Sequence, residues 1–173
     1  AARRENLGRE AAEKLAGRGG GECTFFPCDV SKPEQVKALV DFTVEKYGRL
    51  DGIVNNAGYV PAHLDACDMS VESYQNVLAC NLMGEFYGCK YAVPHLRKTK
   101  GAIVNMSSIL AKVGQEQTAG YSSTKGGIIS LTQTLSIEEA RYGVRVNAIC
   151  PGHIVTDLSL NEMKKVADPE AYA

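Results

Sequence analysis

Tyr121-Ser122-Ser123-Thr124-Lys125 sets a phenol and an ammonium group four residues apart. On a helix, residues at that spacing share a face, so the two groups point the same way. A tyrosine ordinarily loses its proton near pH ~10. Making it a base at neutral pH takes about 4 kcal/mol of extra phenolate stabilisation, and a nearby cation acts in that direction. Ser108 lies thirteen residues before Tyr121, just past the apolar run Ala102–Met106. A hydroxyl at a strand end, facing the helix that carries Tyr121, can hold a carbonyl or alcohol oxygen while a proton moves. Alone, the tyrosine and lysine would read as a pair on a solvated helix surface. With Ser108 they read as general acid/base chemistry at one oxygen atom.

Positioning these groups falls to alternating segments. Helical patterns cover about 5–16, 33–47, 70–98 and 121–142, and strand-like apolar runs cover about 22–28, 50–55, 102–106 and 144–150. Short apolar runs separated by amphipathic helices imply βαβ units and an α/β fold with a doubly wound parallel sheet. Ser31 ahead of Lys32-Pro33-Glu34 suggests an N-cap with a capping box, and Gly48 and Gly143 suggest helix stops. Gly17 and Gly19–Gly21 read as a turn into the first strand, because a phosphate-cradling loop would lie after a strand and before a helix. In the strand order 3-2-1-4-5-6 the four runs correspond to strands 3, 4, 5 and 6. Strands 3 and 4 would then stand about 14 Å apart, with nothing between them. Residues 1–173 therefore read as one incomplete domain, expected not to be stable or active by itself.

Further motifs fall at strand ends, where open α/β sheets bind ligands. They are Cys28-Asp29-Val30, Asn55-Asn56-Ala57-Gly58, and Pro151-Gly152 with Ile154 and Thr156, joined by Asn81 in Asn81-Leu82-Met83-Gly84. With Ser108, Tyr121 and Lys125 they resemble the classical short-chain dehydrogenase/reductase family over nearly the whole chain. The stretches Gly114–Gln117 and Tyr142–Asn147 are most similar to its hydroxysteroid dehydrogenase members, with 3-oxoacyl-carrier-protein reductases and sugar dehydrogenases close behind. The resemblance implies a Rossmann-type fold and hydride transfer between a nicotinamide cofactor and a secondary alcohol or ketone that is steroid-like, cyclic or acyl-chain. It implies Tyr121 as general acid/base, Lys125 on the nicotinamide ribose lowering the tyrosine pKa, Ser108 orienting substrate, and Asn81 holding a water that relays protons. It implies Asp29 and Val30 at the adenine, and Asn55, Ala57, Gly58, Pro151, Gly152, Ile154 and Thr156 along the cofactor. Gln115, Tyr59 and His153 would face substrate, and Val60, Leu158 and Leu160 would supply apolar walls. The family's glycine-rich pyrophosphate turn is absent from these residues.

Arg3 and Arg4 read either as a plain solvated helix start or, where the resemblance puts an acidic residue on the ribose 2′-hydroxyl of NAD, as a site in which Ala2 takes the acidic position and Arg3 follows; the second reading implies NADP, which Arg3 favours, or NAD. Asn147 within a strand reads as structural. His63, His95 and His153 match no metal spacing, and no metal is expected. With 19 Lys+Arg against 20 Asp+Glu the formal charge is −1, which argues against nucleic-acid binding. No apolar run reaches the ~18 residues of a membrane span. Six cysteines without a Cys-x-x-Cys pair read as free thiols, and the first residues have no apolar signal core, so the expected location is cytoplasmic. The apolar content of 70–98 and 121–142 exceeds one sheet-facing stripe. The resemblance implies that these helices pair across a two-fold axis, as a homodimer or homotetramer. A non-catalytic binding or regulatory protein on the same fold is the alternative reading.

Overall fold

In the computed structural model, residues 1–19 and 21–156 are described. Leu158 and Leu160 lie outside them, as does Gly20 of the glycine cluster. Three strands, β1 (Gly52–Asn55), β2 (Ala102–Met106) and β3 (Arg145–Ile149), form a parallel sheet in the order β1-β2-β3. Ile53 stands beside Ile103, which stands beside Val146. The helices are α1 (Glu5–Ala16), α2 (Pro33–Tyr47), α3 (Val71–Leu78), α4 (Gly84–Thr99) and α5 (Ala119–Ala140). Parallel strands need crossovers, and both crossovers here step the same way along the sheet, so right-handedness brings α4 and α5 to one face. There α4 packs on β1 and β2, α5 packs on β2 and β3, and α2 lies against α4. This is the α/β doubly wound arrangement expected from the alternating pattern.

The core sits between that face and its helices. Cys89, Ala92 and Leu96 of α4 meet Ile103 and Val146 of the sheet and Val144 at its entry. Polar groups also enter this layer. Asn105 is fully buried. Its Oδ1 accepts from the Asn55 amide at 2.9 Å, and its Nδ2 donates to Thr132 Oγ1 at 2.9 Å. Thr132 in turn donates to the Ile128 carbonyl at 2.8 Å. The chain of bonds leaves no member unpaired, which is the condition for tolerating polar groups in a core. At the far end of the helices, Arg97 of α4 grips Glu139 of α5 through Nε and Nη2 at 2.8 and 2.6 Å.

Three expectations are corrected. Residues 22–28 form no strand. Among the described residues only Ala2 lies alongside, making a single parallel bridge to Pro27, with Cys28 N–H donating to the Ala2 carbonyl at 3.1 Å. One bridge is no ladder, and Pro27 has no N–H to extend it. Ser31 does not cap α2. Its N–H and hydroxyl both donate to Asp29 Oδ1, at 3.0 and 2.8 Å, and Lys32 takes the cap position without a side-chain bond. Finally, 70–98 is not one helix. A π-helical turn, Ala79–Met83, separates α3 from α4. The glycine stops hold, with φ of 74° at Gly48 and 76° at Gly143.

Gly88 allows the core network to form, because a methyl group there would collide with Asn55 Oδ1. Gly88→Ala is therefore expected to push Asn55 off Asn105 and to cost about 1–3 kcal/mol. Chemical denaturation measures this, and an unchanged midpoint would contradict the role given to Gly88.

Candidate active site

The carboxyl ends of all three strands open on one side, and backbone bonds extend the sheet past its last residues. Ser107 N–H donates to the Ile149 carbonyl and Ile109 N–H to the Pro151 carbonyl, both at 2.8 Å. These bonds fix the loops after β2 and β3 side by side, and the first turns of α5 rise opposite them. A cleft of about 250 Å³ lies between, bounded by Ser108, Tyr121, Lys125, Tyr59, Pro151 and Gly152 together with Gly58 and Val60. The tyrosine, serine and lysine singled out by spacing thus meet in one place.

Lys125 is 4% exposed. Its Nζ donates to the Met106 carbonyl at 2.6 Å, lies 3.7 Å from Glu85 Oε1, and stands 5.7 Å from the centre of the Tyr121 ring. Ser107 Oγ donates to the Lys125 carbonyl at 2.8 Å and so pins this turn of α5 to β2. Burial lowers the Lys125 pKa and Glu85 opposes that change. The Tyr121 phenol moves up, not down: burial raises it, the Ser108 hydroxyl bond lowers it, and the Glu85 charge raises it again. The helix spacing alone implied a lowering by Lys125, but the ammonium group is turned to a carbonyl and a carboxyl group. Ser108 Oγ accepts from Leu110 N–H at 3.2 Å, which leaves its proton for the phenol or for a substrate oxygen placed between them.

Asn81 is fully buried in the π turn. Its Oδ1 accepts from Tyr59 N–H at 3.0 Å and its Nδ2 donates to the Tyr59 carbonyl at 2.9 Å. The extra residue of a π turn re-aims a side chain, and here it lets Asn81 hold the loop after β1 as a neighbouring strand would. Gly58 fills the space between this amide and the lysine. A Cβ there would come 3.2 Å from Asn81 Oδ1 and 3.8 Å from Lys125 Nζ.

Other expected site residues lie at greater remove. Asn55 turns its amide into the core, toward Asn105 and Cys89. Ala57, Gln115 and His153 are exposed and stand outside the cleft wall, as do Ile154 and Thr156. Asp29 and Val30 form a second corner with Arg3. Burial raises the Asp29 carboxyl, but the two Ser31 bonds and the Arg3 charge outweigh it, and the net shift is downward. Val30 rests on the start of α4, where a Cβ at Gly84 would come 2.9 Å from Val30 Cγ2. Sequence reasoning missed Glu85, although a lone acid within Leu82-Met83-Gly84-Glu85-Phe86-Tyr87 could have drawn attention. It also missed Ser107 and the Met106 carbonyl. Among the described residues no cluster of His, Cys, Asp and Glu has metal-site geometry, and no helix is long and apolar enough to cross a membrane.

Residues 1–171 match the family described as Enoyl-(Acyl carrier protein) reductase. The chain is 40% identical over 167 residues to L-fucose dehydrogenase of Bos taurus, covering 96% of this chain and 60% of that protein. Among solved structures, NAD+-bound xylitol dehydrogenase superposes with a TM-score of 0.90 at 30% identity, over 98% of this chain and 70% of the other. ElxO with NADP bound superposes with a TM-score of 0.86 at 32% identity, over 94% and 66%. The chain thus spans about 60% of the length of the first curated relative.

The paired bonds of Asn81 generate a direct test. Asn81→Ala is expected to release Tyr59 and to leave its N–H unpaired, at a cost of about 1–3 kcal/mol. Hydrogen exchange at the Tyr59 amide is expected to accelerate at least tenfold, and an unchanged rate would mean that something else holds the loop.

Proposed function

The chain belongs to the short-chain dehydrogenase/reductase family, and from that premise we propose that it carries the acid/base and much of the cofactor-facing side of an NAD(P)-dependent oxidoreductase acting on a secondary alcohol or ketone. The observation that carries this reading is the meeting of Tyr121, Ser108 and Lys125 at one cleft. The Tyr121 hydroxyl, protonated at neutral pH, gives its proton to the carbonyl oxygen in reduction, and the phenolate takes it back in oxidation. Ser108 donates a hydrogen bond to the same oxygen and fixes its distance from Tyr121. The Lys125 ammonium lies close enough to Tyr121 to stabilise the phenolate as it forms.

A nicotinamide nucleotide fits these residues. Gly58 and Gly152 let a ligand approach the backbone closely: the Gly58 Cβ position faces Lys125 Nζ, and that of Gly152 is open. Lys125 is the group to hold the nicotinamide ribose. Pro151, Gly152, Ile154 and Thr156 would follow the nicotinamide and its phosphates, and Asn55, Ala57 and Gly58 would follow the cofactor along β1, with Asn55 contributing backbone because its amide is engaged in the core. Asp29 and Val30 would meet the adenine. Arg3 beside Asp29 favours the 2′-phosphate of NADP over NAD. When bound, the nicotinamide supplies the hydride acceptor or donor.

Tyr59 at the cleft wall would contact substrate, and Gln115 and His153, exposed outside that wall, would meet the part of it that extends from the cleft. The names of the relatives, fucose, glucose and cyclohexadienediol dehydrogenases among them, favour a sugar or cyclic hydroxyl over a steroid or an acyl chain. Free thiols suit a cytoplasmic protein. Assembly as a homodimer or homotetramer is supported by exposed apolar residues on α3, α4 and α5, among them Val71 at 73% and Ile137 at 79%. Val77 and Ile128, by contrast, are core residues.

Two experiments test this reading on the full-length protein. Tyr121→Phe is expected to reduce kcat by about 10²-fold or more with little change in thermal stability, and near-normal turnover would exclude the assignment. Light scattering is expected to give a mass of two or four subunits, and a monomer would count against the helix pairing.

A further inference from the structure

Behind Lys125, on the side away from the cleft, lies a carboxyl group that the chemistry above does not use. Glu85 opens α4 one residue after Gly84 and is 2% exposed. Neither of its oxygens completes a hydrogen bond of good geometry, although the Met106 N–H and the Lys125 ammonium lie near enough to act on it. The Lys125 ammonium lies 3.7 Å from Oε1. A buried carboxyl group without well-formed hydrogen bonds is costly, and a fold that places one against the lysine of its acid/base site couples the two charges. We propose that Glu85 is a positioning residue of this site: it seats the Lys125 ammonium against the Met106 carbonyl and sets how much of that positive charge reaches the Tyr121 phenol. The kinetic arm of this inference rests on the hydride-transfer reading, and the spectroscopic arm does not.

The groups that face Glu85 are few. From α5 they are Lys125 and Tyr121, from β2 the Met106 backbone, and from α4 itself Cys89. Cys80 of the π turn acts on Lys125. β1 has no titratable residue, and Lys37 of α2 pairs with Asp41 of its own helix, with Tyr91, farther along α4, a lesser influence. Burial raises the Glu85 carboxyl to about 8, against the opposing pull of Lys125 and the Met106 N–H. Around neutral pH Glu85 therefore holds a proton, and the lysine charge is free to act on Tyr121. As the pH rises past that value the carboxylate forms. It then keeps Lys125 protonated and at the same time disfavours the Tyr121 phenolate.

The sign of the test follows. Removing a negative charge lowers the pKa of every neighbouring acid or base. In full-length Glu85→Gln, which keeps shape and polarity, the alkaline limb of the pH profile of kcat, where the wild-type carboxylate is ionised, is expected to move to lower pH by about one unit. The acid limb, below the carboxyl's own titration near 8, is expected to stay in place. A purely structural role would change the height of the profile and leave its limbs in place. Independently of turnover, the 13C signal of the Glu85 side-chain carboxyl is expected to titrate near pH 8 in the wild type, and the 15N signal of Lys125 Nζ to titrate at lower pH in Glu85→Gln. Superimposable profiles, or a Lys125 titration unchanged by the substitution, would overturn the proposal. If the protein turns over no alcohol or ketone, the hydride-transfer reading fails, and the nuclear resonance titration decides the Glu85 assignment by itself.

Discussion

The Lys125 ammonium is held out of water by a β-strand carbonyl at 2.6 Å and a buried carboxyl group at 3.7 Å. An ammonium group taken out of water is stable only where such partners wait for it, and much of the local architecture supplies them. Gly58 leaves room for the Asn81 amide beside the lysine, and Ser107 ties the lysine's own carbonyl to the end of β2. The start of α4 brings Glu85 alongside. Tyr121, one helical turn earlier, is consequently placed over the cleft with a cation 5.7 Å from its ring. Moving any of these elements would leave a buried charge unpaired, which gives the geometry its rigidity.

The same economy governs the sheet. Parallel strands buried under helices are expected to be apolar throughout, yet asparagines stand side by side in β1 and β2. Their amides bond each other and Thr132 of α5, so the polar chain runs across two strands into a helix. A slip of either strand by one residue would turn its amide to the opposite face and break that chain. The network thus specifies which strand ends lie level, and level strand ends are what make a common cleft.

The π turn joins the two layers of this arrangement. A regular helix through 70–98 would carry Asn81 past the loop after β1 without matching both polar atoms of Tyr59. One extra residue in the turn re-aims the amide so that it meets the N–H and the carbonyl together. It also begins a new helical segment at Gly84, and it is this segment that presents Glu85 to Lys125. Loop and lysine therefore take their places from one local irregularity.

Periodicity and spacing alone determined the alternation of helices with parallel strands and the shared face of Tyr121 and Lys125, because both follow from the 3.6-residue and 2-residue repeats of the backbone. Spacing likewise placed Ser108 at a strand end, and Gly48 and Gly143 as helix stops. Tertiary structure decided what depends on neighbours distant in the chain. Residues 22–28 are apolar enough for a strand, but a ladder needs a partner along its length, and among the described residues Pro27 bridges to Ala2 alone. Ser31 has the right type for a cap, but Asp29 captures it. Asn55 sits in a motif at a strand end, yet its amide finds Asn105 in the core. The direction of the Tyr121 shift was hidden for the same reason: helix spacing reveals a neighbouring cation, whereas desolvation and an opposing carboxylate are set by packing from α4 and β2, whose distance along the chain says nothing of their distance in space.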